Sequence, residues 1–234
     1  MKIVFALVLL ISSSMVFSKV TCLESEVYVS SHKVKGYQTS NGKKVRGYYR
    51  NEYCRKSAFK YNKFQFKDNF LGLELGSEIY KVWSDREINF FLDLGEKLPE
   101  LLKSIEFEIV LHSTTSKVPN NPAASIPDKK TLILYDLFFK RKDAQKVLGH
   151  ELAHFLYWQL NDEQKIEFAT RSGWKFQSGR ITSKPNKPIY NDSLASPSED
   201  FANNVEAYYF DIDNLKKNNP ELLDFFKKLE KEMK

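Results

Sequence analysis

Hydrophobic and polar positions change period several times along this chain of 234 residues, and each change predicts an element. From Ser84, positions Ile88, Phe91, Leu92, Gly95 and Leu98 fall at helical spacing. Glu87 stands three residues after the serine as a capping-box partner, so a helix is predicted to start there. Ile105, Phe107, Ile109 and Leu111 then alternate with Glu106 and Glu108, the period of a half-buried strand. Residues 118–130 carry three prolines and the pair Asn120-Asn121, and read as a loop. Thr131 to Tyr135 is a second strand, short and apolar, and a long helix follows from about Lys142 to Leu160. Asn161 and Gln164 mark another helix start, residues 178–197 a long loop. Ser196-Pro197-Ser198-Glu199 opens a further helix with Pro197 at its first position, and Asn219-Pro220 starts the last one. Helix, two strands, then helices is the order of an α+β domain. Residues 58–83 give no clear period.

The N-terminal quarter has a different grammar. Lys2, the apolar run Ile3 to Ile11 and the small residues around Ser18 predict a secretory signal peptide over residues 1–18. No later segment is apolar enough to span a membrane. Val34-Lys35-Gly36-Tyr37 and Val45-Arg46-Gly47-Tyr48 flank Asn41-Gly42, which favours a type I′ turn, so this part reads as a β-hairpin. It resembles a short module found near the termini of various bacterial and phage exported proteins, a resemblance that transfers no chemistry. The two cysteines, Cys22 and Cys54, are an even count in an exported chain and predict one disulfide, tethering a hairpin segment over residues 19–57. The formal net charge of +6, taken as spread along the chain, suggests contact with an anionic cell envelope and lacks the dense basic run of a nucleic-acid footprint. The protein is expected to be secreted or periplasmic, and monomeric.

The candidate chemistry lies in His150-Glu151-Leu152-Ala153-His154. Residues four apart share a helix face, so both imidazoles can reach one ion while Glu151, one step round, can take a proton from water beside it. Leu148, Leu152 and Phe155 would cover the opposite face, with Gly149 leaving room beside His150. A catalytic Zn2+ takes three protein ligands and keeps one open position. Only four histidines exist and none follows His154, so a carboxylate is the expected third ligand. The expectation is a zinc metallopeptidase acting on protein or peptide, with residues 58–234 as its domain. The alternatives are a hydrolase of cell-wall peptide amides and a non-catalytic envelope-binding protein.

Glu199-Asp200-Phe201-Ala202-Asn203, together with the histidine helix, resembles the gluzincin peptidases similar to anthrax lethal factor, over roughly residues 105–210. The resemblance implies a zincin-like fold, zinc held by His150, His154 and Glu199, and Glu151 as general base. It further implies that Asn203 stands where a second glutamate commonly supports a ligand histidine, and that Tyr190 donates to the oxyanion. Asp200, and more weakly Asp192, are the other candidate carboxylates, and Glu199 also has an ordinary role open to it as capping partner of Ser196.

Overall fold

The computed structural model describes residues 22, 26–29, 31–34, 36–38, 42–56, 64–67, 80–114, 116, 118–177 and 180–233. The expected signal peptide and the hairpin turn at residues 39–41 lie outside them.

The N-terminal part is one long hairpin. Strands β1 (Glu26–Val29), β2 (His32–Val34) and β3 (Tyr37–Gln38) run out, and β4 (Lys44–Val45), β5 (Tyr48–Arg50) and β6 (Tyr53–Lys56) run back. β1 pairs with β6, β2 with β5 and β3 with β4, all antiparallel. Cys22 and Cys54 are joined by a disulfide, as expected. The root of the hairpin belongs to the main sheet, because β1 also pairs in parallel with β7 (Gln65–Lys67).

Helix α1 (Asp85–Glu96) starts at Ser84, whose hydroxyl accepts from the Glu87 N–H while Glu87 accepts from the Ser84 N–H, the reciprocal cap the sequence predicts. After the short α2 (Glu100–Lys103) come β8 (Ile109–Ser113), β9 (Ala123–Ile126) and β10 (Thr131–Tyr135). The main sheet has the order β6-β1-β7-β8-β10-β9. β8 is central, parallel to both β7 and β10, and every residue of it is buried. This corrects the expectation of a half-buried strand over Ile105 to Leu111. A strand covered on both faces needs no alternation, and Ile105 and Phe107 are buried as the chain approaches it. β9 was hidden in the predicted loop and closes the sheet as an antiparallel edge.

The long helix α3 (Ala144–Gln159) follows, then α4 (Asp162–Ser172), opened by the Asn161–Gln164 capping box. A small ladder of β11 (Lys175–Gln177) and β12 (Arg180–Ser183) precedes α5 (Pro197–Phe210), α6 (Ile212–Asn218) and α7 (Leu222–Glu232). α3 packs closely against α5, sealed by Tyr157 and Phe168 around the Phe201 ring at 5.3 and 5.0 Å. Leu148, Leu152 and Phe155, predicted to cover the face of α3 opposite the histidines, are buried. Gly149 has a different reason from the one expected. A Cβ there would lie 2.7 Å from Cε2 of Phe210, so the glycine admits α5 rather than clearing space for His150.

His112 on β8 is buried within a separate polar cluster. Its Nε2 is 2.9 Å from Oδ1 of Asp136, which Lys81 contacts at 2.6 Å, and its Nδ1 is 3.6 Å from Oε2 of Glu87. No helix among the described residues is long and apolar enough to cross a membrane.

Candidate metal centre

α3 and α5 bring the site together. His150 and His154, one turn apart on α3, face the first turn of α5, where Glu199 stands. One oxygen of Glu199 is 3.5 Å from Nε2 of His150 and the other 3.5 Å from Nε2 of His154. The candidate ligand atoms all lie within 4.8 Å of one another, and the group could hold a metal ion. The start of α5 explains how Glu199 becomes available. Ser196 accepts from the Glu199 N–H at 3.1 Å, but the Glu199 carboxylate is turned to the histidines. The residue therefore serves the cap through its backbone and the cluster through its side chain.

Each imidazole is oriented from behind. His154 Nδ1 lies 2.9 Å from the Ser198 hydroxyl, and His150 Nδ1 lies 3.6 Å from Oε2 of Glu206, an ion-pair distance. Glu206 is in turn 3.5 Å from the Tyr190 hydroxyl. Burial pulls the His150 imidazole towards neutrality, but Glu199, Glu206 and Glu151 outweigh it and raise its pKa to about 10. His154 goes the other way, lowered chiefly by burial. The His150 partnership also holds Glu199 below the usual carboxylate range.

A cleft of about 830 Å³ opens over the cluster. His150, Glu151, His154 and Glu199 line it, together with Ala123 and Ala124 of β9 and with Tyr157 and Trp158 farther along α3. Glu151 is mostly buried but reaches this cleft.

Other sequence candidates fall elsewhere. Asn203 does not support a ligand histidine: its amide donates to Asp192 at 2.8 Å and to Ser193 at 3.0 Å. Asp200 is fully buried beneath the cluster, accepting from Trp174 Nε1 and Asn204 Nδ2 at 2.9 Å each, and is no ligand. Burial raises its pKa to about 6 against those bonds. Asp192 lines the cleft but bonds to Asn203. Tyr190 does not line the cleft, and its hydroxyl turns to Glu206 behind His150. Burial and the Glu206 charge push its pKa up to about 12. Sequence reading missed Glu206 and Ser198. The signal for Glu206 was its position two helical turns after Glu199, on the same face.

Compared with known protein families, curated proteins and solved structures, the chain matches none.

Proposed function

We propose that the protein is a zinc-dependent peptidase of zincin-like fold, working outside the reducing interior of the cell. The convergence of His150, His154 and Glu199 beside Glu151, in one open cleft, carries the reading. One Glu199 oxygen lies 3.5 Å from His150 Nε2 and the other 3.5 Å from His154 Nε2, and this closeness of two imidazoles and a carboxylate supports a small ion that takes nitrogen and oxygen ligands. Zinc held there would acidify a bound water and polarise the scissile carbonyl. Glu151 takes the proton of the attacking water and passes it to the leaving amine. Glu206 and Ser198 fix the two imidazoles so that their Nε2 atoms converge. The outer edge of β9 lies along the cleft, and its small residues Ala123, Ala124 and Ser125 let an extended peptide pair with that edge. β8 is paired on both sides, so the open edge of the main sheet beside the cleft is that of β9. The Cys22–Cys54 disulfide fits an oxidising compartment.

The test is metal analysis of the purified protein, followed by assay on a denatured protein substrate before and after chelation. Stoichiometric zinc with cleavage lost on chelation and restored by zinc is expected. A zinc-loaded protein that cleaves nothing in a broad peptide library overturns the reading.

A further inference from the structure

The charge of this protein is concentrated in one place. The chain holds 36 Lys and Arg and 30 Asp and Glu. Residues 27–51 contain six of the basic residues (Lys33, Lys35, Lys43, Lys44, Arg46 and Arg50) and no acidic one, so the remaining 30 and 30 balance. The six basic residues of this segment equal the whole formal surplus of +6, which corrects the expectation of a surplus spread along the chain.

Fold and charge coincide. The ribbon is two-stranded and extends beyond the root strands β1 and β6. Arg50 is held at the root by Asp85 and lies over the Tyr53 ring at 4.4 Å. Further out, Lys33, Lys43, Lys44 and Arg46 are exposed. Two large aromatic residues are exposed among them, Tyr48 at 44% and Tyr49 at 65%. Lys33 is directly opposite Tyr49 in the ladder and shares its face, whereas Tyr48, one residue earlier, faces the other way.

We propose that this ribbon is a docking surface for an acidic polysaccharide, its cations meeting the anionic groups and its tyrosine rings stacking on sugar faces. The proposal is independent of the metal centre. The composition argues against a lipid surface. Residues 27–51 contain no Leu, Ile, Phe, Trp or Met to insert into a bilayer, and the two exposed rings lie on opposite faces, which one plane cannot cover together. A flexible chain can pass both. The disulfide at the root argues against a nucleic-acid partner, since it fits an oxidising compartment.

The test uses the full mature chain and dextran sulfate as probe, with uncharged dextran, polyglutamate, phosphatidylglycerol vesicles and duplex DNA as comparisons. Binding to dextran sulfate should weaken steadily as salt rises, and uncharged dextran should not bind. The K33Q/K44Q/R46Q variant should bind roughly tenfold more weakly or worse, with a shallower salt dependence. Each single substitution should give part of that loss, so the result does not hang on the triple variant folding. Neutralising three lysines of the C-terminal helices, K216Q/K217Q/K231Q, should leave binding unchanged. Y48S and Y49S should weaken binding to dextran sulfate more than to polyglutamate. Equal losses from the ribbon and control variants, or vesicles or DNA bound more tightly than dextran sulfate, overturn the proposal.

Discussion

His150 and Glu206 meet behind the ligand cluster, imidazole Nδ1 to carboxylate Oε2 at 3.6 Å. That contact places Glu206 where it can play the supporting role that the family resemblance implied for position 203, should His150 bind a metal. Replacing Glu206 with Gln keeps the shape and removes the charge. Metal affinity should fall roughly 10–100-fold, read by competition with a chromophoric chelator. An unchanged affinity would remove Glu206 from this role.

Glu151 and Glu199 should separate in a comparison of metal content with turnover. Glu151→Gln should retain the metal and lose about 10²–10⁴-fold in peptide cleavage, because the amide cannot accept the proton. Glu199→Gln removes an anionic ligand, so metal content and rate should fall together. Cleavage by Glu151→Gln at the original rate would end the general-base assignment.

The pH dependence of stability has a specific source in Glu87. Burial alone would raise its pKa, but the His112 contact and the two bonds from Ser84 outweigh burial and hold it down to about 2. A depressed carboxylate contributes stability above its unfolded pKa and loses it as pH falls through the folded value. The loss should therefore develop between about pH 4.5 and pH 2, on the order of 2–3 kcal/mol in all. Denaturant midpoints measured across that window should drop for the unaltered protein and much less for Glu87→Gln. Parallel curves for the two would refute the assignment.

Gly149→Ala pits two effects against each other. Alanine favours a helix over glycine by about 1 kcal/mol. The added Cβ would sit 2.7 Å from Phe210 and 3.4 Å from Leu102, and overpacking of this kind costs about 1–3 kcal/mol. The clash should win, and the melting temperature should fall. A rise would mean that Phe210 swings away freely.

Much of the site was legible because its chemistry is local. His150, Glu151 and His154 lie on one helix, and Ser196-Pro197 announces the helix that brings Glu199. Asn203 failed because a family pattern was carried over by position, while here the carboxylate that meets His150 comes two turns after Glu199. The fold was legible where caps and amphipathic faces punctuate the chain, as at Ser84 and Asn161. In β8 it was legible only in part, since a strand was read over Ile105 to Leu111 but β8 itself, Ile109–Ser113, is buried throughout and carries no alternation to mark its bounds, and β9 was not read at all. Prolines and asparagines surround β9, and the strand exists through its pairing with β10. That partner is nearby in sequence, but nothing in Ala123 to Ile126 announces it.

The sheet order has a geometric consequence. The hairpin enters through β6 at one margin, and the cleft lies along β9 at the other. Five interstrand steps of about 4.8 Å separate the two margins, roughly 24 Å. If the ribbon holds the protein on a polymer, the cleft stands about seven extended residues from the ribbon's root, and the ribbon itself projects beyond that root. Such a molecule would not trim its own mooring. If it cleaves peptides as proposed, it would work as a stationary cutter on chains passing overhead, with its reach set by the sheet's width and the ribbon's length together.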